Sequence, residues 1–365
     1  MIKISMPHLV RVGAVAALAA FAYAALHPAS AGGQWLAEAA VAPAVQPPLP
    51  SLAGATAWIN SPPLTAKALQ GKVVLVDFWT YSCINCLRTL PYVKAWAQKY
   101  GEHGLVVIGA HTPEFDFERS VSNVQRAVKD LQIRYPVAVD SQQTLWNAFG
   151  TQAWPTFYFV DATGRIRYRQ LGEGRYDQAE RMIQELLREA GQRQVPDDLV
   201  VPQATGTQAA VGPRPPASDE TYLGWARGDG FVAAAGELRD GGPRSYTAAP
   251  QLRLNQWTLA GRWRVDTQQL SLAQPGGSIS YRFRARDLHL VLGPGPDGRP
   301  VRFRIRLDGQ PPGADHGSDV LTDGSGTVET YRLYQLVRQA ADGRERLFEI
   351  EFLDADVQAH AFTFG

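Results

Sequence analysis

Only two cysteines occur in the 365 residues, and they stand three apart, at Cys83 and Cys86, with Ile84 and Asn85 between them. A Cys-x-x-Cys pair that follows a strand and opens a helix points to thiol–disulfide chemistry. The helix N-terminus offers free N–H groups and a partial positive charge, both of which stabilise a thiolate. Cys83, at the very start, is the expected exposed nucleophile. Cys86, one turn further in, is the expected resolving thiol, and Ile84-Asn85 tunes the potential of the pair. A structural disulfide closing so small a loop would contribute little. Zinc lacks two further ligands nearby, and covalent haem would need His where Leu87 stands. We therefore expect no metal, and no cofactor beyond a redox-active Cys83–Cys86 disulfide.

Further residues sharpen this reading. Asp77 sits six residues before Cys83 inside the apolar run Val73 to Trp79. A carboxylate buried there has its pKa raised and can accept the Cys86 proton; the plainer reading is a solvated edge-strand Asp. Trp154-Pro155-Thr156 leads into another core strand. A cis Pro155 would bend the chain beside the cysteines and expose backbone for a substrate strand to pair with; the plainer reading is a trans proline starting a strand. Glu114 is a second acid candidate. Pro91, five residues after Cys86, falls inside the helix and should kink it.

These residues need a scaffold. Val73 to Trp79 is continuously apolar apart from Asp77, as a strand buried on both faces should be. Cys83 to Tyr100 carries Leu87, Leu90, Val93 and Ala97 along one helical face. Leu105 to Ala110 predicts a second buried strand, Ser120 to Leu131 a helix, and Val137 to Val139 a short strand. Thr156 to Val160 and Ile166 to Gln170 flank the turn signal Asp161-Ala162-Thr163-Gly164. Met182, Ile183, Leu186, Leu187 and Ala190 mark a closing amphipathic helix. The order predicts an α/β sandwich with a mixed sheet over 51–193.

A Pro-rich stretch, 194–218, carries neither period and reads as a linker. Beyond it, over 219–365, the apolar period becomes two: Ile279, Tyr281, Phe283 and Ala285; Val301, Phe303, Ile305 and Leu307; Phe348, Ile350 and Phe352. That predicts an all-β sandwich of jelly-roll type. Its arginines at 282, 284, 302, 304 and 306 offer either an anion-binding face or a solvated face paired with Glu349 and Glu351. Trp225, Trp257 and Trp263 are candidates for stacking on a glycan, with core packing as the alternative.

At the other end, Lys3 and Arg11 precede an apolar run from Val12 to Leu26, and Ala29-Ser30-Ala31 fits a signal-peptidase site. Residues 1–31 read as a cleaved export signal or an N-terminal anchor, and 32–50 as a linker. The expected compartment is periplasmic or otherwise extracytoplasmic. Lys+Arg 36 against Asp+Glu 35 leaves a net charge of +1, which argues against nucleic acid as a partner.

The pattern DFW-x-x-x-C-x-x-C-x-x-x-x-P followed by W-P-T resembles the thioredoxin superfamily, at Asp77, Cys83, Cys86, Pro91 and Pro155. DFWTYSCINC (77–86), GAHTPEF (109–115), YPVAVD (135–140), Gly-Glu-Gly (172–174), Glu220-Thr221-Tyr222, Gly261-Arg262-Trp263 and Phe362-Thr363-Phe364-Gly365 are similar to the periplasmic part of the DipZ proteins of cytochrome c biogenesis. The resemblance implies a thioredoxin-like thiol–disulfide oxidoreductase, joined to a carbohydrate-binding-module-like domain and working as a reductant. The implied partners are protein disulfide or thiol substrates and a separate membrane electron donor of CcdA/DsbD type, because the multi-helix membrane domain of that family does not precede the motif. TlpA-type relatives often place Glu where Thr89 stands, so the acid role falls to Asp77. Two alternatives remain: an oxidising disulfide donor, and a thiol peroxidase, since Thr80-x-x-Cys83 echoes peroxiredoxins although Val76 replaces their proline.

Overall fold

The computed structural model describes residues 46–234, 237–340 and 343–365; the expected signal or anchor at 1–31 and most of the 32–50 linker lie outside them. The first domain runs β1 (Ala57–Ile59), α1 (Ala66–Leu69), β2 (Val73–Trp79), α2 (Ile84–Tyr100), β3 (Leu105–His111), α3 (Val121–Asp130), β4 (Val137–Val139), α4 (Thr144–Phe149), β5 (Thr156–Val160), β6 (Ile166–Leu171) and α5 (Tyr176–Glu189). The sheet order is β1-β4-β3-β2-β5-β6. β2 pairs parallel with β3 and antiparallel with β5, so the sheet is mixed.

β2 is buried along its whole length, and alternation divides its side chains between two cores. Val74, Val76 and Phe78 pack with Leu145 and Phe149 of α4. Val73, Leu75 and Trp79 pack with Leu90, Val93 and Trp96 of α2 and with Ile183 and Leu187 of α5. Asp77 shares the second face, so a carboxyl points into the apolar layer beneath α2. The helical run of α2 continues through Pro91. The elements missing from the sequence reading, β1, α1 and α4, are three to six residues long, too short to display a period.

The second domain is all β: β7 (Thr221–Tyr222), β8 (Gly241–Tyr246), β9 (Trp257–Val265), β10 (Leu270–Leu272), β11 (Gly277–Arg284), β12 (Asp287–Gly293), β13 (Val301–Leu307), β14 (Ser325–Val328), β15 (Arg332–Arg338), β16 (Glu345–Phe352) and β17 (Gln358–Phe364). The expected sandwich is built as one curled sheet of 11 strands rather than two separate ones. The hinge of the curl is β9. Its first half, Trp257 to Ala260, pairs with β11, and its second, Trp263 to Val265, with β10. Gly261 between them has φ +97°, and a Cβ there would lie 2.7 Å from the Gly277 Cα, so only glycine serves this corner.

The sheet closes on a core of Ile279, Phe303, Ile350, Phe352 and Phe362. Trp257 and Trp263 belong to that core, with indole N–H groups donated to the Asp229 and Ala260 carbonyls, and so neither is open to a sugar ring. Of the three tryptophans named above, Trp225 alone is exposed. The arginine face is largely paired: Arg306 meets Glu349 at 2.8 Å and Arg302 meets Asp354 at 2.8 Å.

Residues 194–218 pack against both domains, and Arg338 and Arg286 of the second donate to the Gly206 and Ala210 carbonyls at 3.1 and 2.9 Å. Val200 N donates to Glu180 at 2.9 Å, and Lys94 reaches Gln208 at 3.2 Å. The two domains also share apolar surface. Val291, Leu333 and Ala361 join the α2-side core, Phe117 stacks on Tyr331 at 4.9 Å, and Phe115 meets His360 at 5.1 Å.

Candidate redox site

The chain leaves β2 at Trp79, turns through Thr80, Tyr81 and Ser82, and enters α2 at Ile84. Cys83 is the N-cap residue of α2 in extended conformation. Its sulfur accepts a hydrogen bond from Cys86 N at 3.2 Å, a role that Ser or Asp plays at ordinary N-caps. Both cysteines are free thiols; Cys83 is half-buried and Cys86 is buried. The Cys86 thiol donates to the Cys83 sulfur at 2.6 Å, so the two sulfurs are in contact and Cys83 is the more accessible. Burial pushes the Cys83 thiol up, the bonds from Cys86 pull it back, and the charges of Glu114 and Glu220 push it up again. Burial holds Cys86 well above the ordinary thiol range, reinforced by Cys83 and, more weakly, by Asp77.

Asp77 is fully buried, and neither carboxyl oxygen has a hydrogen-bond partner among the described residues. Burial alone pushes it up to about 8. Holding it ionised there costs about 5–6 kcal/mol relative to water, from the 1.36 kcal/mol that each pH unit represents. An unpartnered group of this kind calls for a functional explanation, and its charge reaches Cys86.

Trp154-Pro155 is a cis peptide, the isomer that the residue types alone left open. The Trp154 indole donates to the Thr112 carbonyl at 3.1 Å, while Thr112 N donates to the Trp79 carbonyl at 3.0 Å. The Thr156 hydroxyl donates to the Ala153 carbonyl at 2.7 Å and fixes the turn before β5. Trp79 is buried against His111, Ile84 is buried, and Asn85 is partly open. His111 shares a hydrogen bond with Thr80 at 3.3 Å and stacks on Tyr81. Burial pushes it down to about 3, so it is a neutral packing partner.

Three participants escaped the sequence reading. Glu118 is fully buried and gathers the turn before Cys83 together with the 114–115 segment. One oxygen accepts from Ser82 Oγ at 2.6 Å and Ser82 N at 3.3 Å; the other accepts from Glu114 N at 2.8 Å and Phe115 N at 3.0 Å. Burial pushes its carboxyl up, and the bonds from Ser82, Thr80 and Phe115 pull it down. Tyr222 and Arg227 come from the second domain. The Tyr222 hydroxyl lies 2.6 Å from Glu114 Oε1, and Arg227 pairs with the same oxygen at 3.1 Å. Glu114 thus sits at the domain junction. The spacing of Glu114 and Glu118, one helical turn, was the only local hint of this network.

The chain is similar to known proteins. The family described as Redoxin matches residues 45–185, and the one described as Thioredoxin like C-terminal domain matches residues 218–365. Fold and motif together define a thioredoxin-like thiol–disulfide oxidoreductase followed by an all-β domain. The chain is homologous to the C-terminal region of Protein DipZ from Mycobacterium tuberculosis, 37% identical over 248 residues, which are 67% of this chain and 35% of that protein. It therefore spans about a third of the length of that relative. Thiol-disulfide oxidoreductase YkuV from Bacillus subtilis is 29% identical over 142 residues, 39% of this chain and 95% of YkuV. A solved thioredoxin-like protein in its oxidised form is 30% identical and covers 40% of this chain and 97% of its own, with a TM-score of 0.37.

Proposed function

We propose that the chain is an extracytoplasmic reductant of protein disulfides. The Cys83 thiolate attacks a substrate disulfide, forming a bond to one substrate sulfur while the other leaves and takes up a proton. Cys86 then gives its proton to Asp77, bonds to the Cys83 sulfur and expels the second substrate sulfur. The substrate is reduced to two thiols, and the chain is left with a Cys83–Cys86 disulfide. Near pH 7 about a tenth of the molecules carry Asp77 ionised and able to accept that proton, given its value of about 8. Backbone beside Pro155 pairs with the substrate strand. The carrying observation is the unpartnered Asp77 under two sulfurs in contact.

Export rests on the reading of residues 1–31, and no helix among the described residues is long and apolar enough to cross a membrane. Reducing direction, cytochrome c maturation or general thiol repair as the setting, and a separate membrane donor of CcdA/DsbD type rest on the DipZ likeness. A glycan for the second domain rests on Trp225.

Insulin reduction tests the activity, and replacing Cys83 by Ala should abolish it. The potential of the couple tests the direction. A value near or below about −250 mV makes the chain a reductant, and one above about −150 mV makes it an oxidant and reverses the electron flow.

A further inference from the structure

The second domain reaches the redox turn through a continuous chain of contacts. Tyr222 meets Glu114 at 2.6 Å, Glu114 N donates to Glu118 at 2.8 Å, and Glu118 accepts from Ser82 Oγ at 2.6 Å. Ser82 is the residue before Cys83. One end of this chain poses a chemical problem. The Tyr222 hydroxyl also lies 2.8 Å from Glu220 Oε2, so it touches two carboxyl groups. A hydroxyl has one proton and can donate it to one of them only. The second contact is a hydrogen bond only if that carboxyl carries a proton of its own. Otherwise two acceptors face each other with nothing between them. Among the described residues, Arg227 supplies the nearby cation, paired with Glu114 at 3.1 Å and stacked over the Tyr222 ring at 3.3 Å. That charge balances one carboxylate and leaves the other to be protonated or to stand uncompensated.

Consistent with one shared proton, Glu220 is pushed up to about 7, by desolvation first and by the Glu114 charge second. Glu220 is an exposed residue, so exchange with solvent is open. After the larger effect of burial, the charges of both carboxyls push the Cys83 thiol up.

We propose that the second domain completes the redox site: Tyr222 ties Glu114 and Glu220 into a pair that holds one proton between them, and the charge of this pair governs how readily Cys83 attacks. This rests on the reading of Cys83 as nucleophile. Among the described residues, the groups facing the pair are Cys83 from the redox turn, Glu118 from the 114–119 segment, and Tyr222 and Arg227 from the second domain. With the pair singly charged, Cys83 loses its proton more easily. With both carboxylates ionised, a second negative charge opposes the thiolate.

The test is the pH profile of Cys83 alkylation by iodoacetamide, in the full chain with Cys86→Ser so that one thiol reacts. The midpoint of the profile is read, because lowering a thiol's pKa also blunts its intrinsic reactivity and rates alone mix the two effects. Glu220→Gln should move the midpoint to lower pH, raising the thiolate-to-thiol ratio about threefold to tenfold above about pH 8, where both carboxyls of the parent are ionised, the effect of one charge beside a half-buried sulfur. Arg227→Gln should move it to higher pH, and Arg227→Lys should restore it. These opposite signs, with the rescue, are what a purely structural disturbance would not give. Unmoved midpoints in both Gln variants, or shifts in the same direction, would overturn the proposal. Insulin turnover by the parent separates the two readings. Shifted midpoints without turnover would support the pair while removing the reductase; turnover with unmoved midpoints would overturn the pair alone.

Discussion

Replacing Asp77 by Asn should make the protein more stable and less active at once. In the folded chain Asp77 keeps its proton up to about pH 8, while in the unfolded chain it releases it near 3.8. Between those values the unfolded state binds fewer protons than the native one, so native stability falls as pH rises, by up to about 1.4 kcal/mol per pH unit. By pH 7 the accumulated loss is about 4 kcal/mol. Asn has the same shape and never ionises, so the variant escapes that loss. The expected difference is about 3–4 kcal/mol in favour of Asp77→Asn at pH 7, shrinking to near zero below about pH 3, where both states of the parent are protonated. Urea unfolding of the reduced proteins at several pH values measures it. The same variant should release substrate slowly from the mixed disulfide, because Cys86 has lost its proton acceptor. A stability difference independent of pH would refute the reasoning, since only an ionisable, desolvated Asp77 produces the slope.

Cys86→Ser should accumulate a mixed disulfide between Cys83 and substrate, visible by mass spectrometry under non-reducing conditions; Cys83→Ser should form none. Glu118→Gln turns an N–H group toward backbone N–H donors, and loses an acceptor for Ser82, Glu114 or Phe115. We expect it to cost about 2–3 kcal/mol in urea unfolding. Trp257→Ala empties a fully buried core site and should cost about 3–5 kcal/mol, whereas Trp225→Ala, at an exposed position, should stay within about 0.5 kcal/mol. Comparable losses at both positions would mean that the core assignment is mistaken.

Several elements were legible because a local pattern dictates them. β2 is an unbroken apolar run, and only a strand covered on both faces tolerates one. α2 begins where the cysteine pair stands and carries its apolar face at helical spacing. Asp77 could be placed because alternation along β2 fixes its face. The 3–6-residue elements β1, α1 and α4 were not legible, because their form comes from neighbours rather than from period. The tryptophans of the second domain show the same limit. Trp257 and Trp263 are core while Trp225 is surface, and composition cannot separate them without knowing which way the curled sheet closes.

By itself, then, the sequence pointed to thiol chemistry at the two cysteines, to an acid in the strand before them and to the order of two domains, since each reading rests on local pattern. The tertiary structure decided what surrounds that chemistry. Glu118 lies 36 residues from Ser82 and Tyr222 lies 108 from Glu114, yet hydrogen bonds of 2.6 Å join each pair. Contacts across such separations are set by how the sheets stack and how the second domain packs on Phe115 and Phe117. No spacing rule in a single chain records that packing, because its energy comes from surfaces that meet only after both domains have folded.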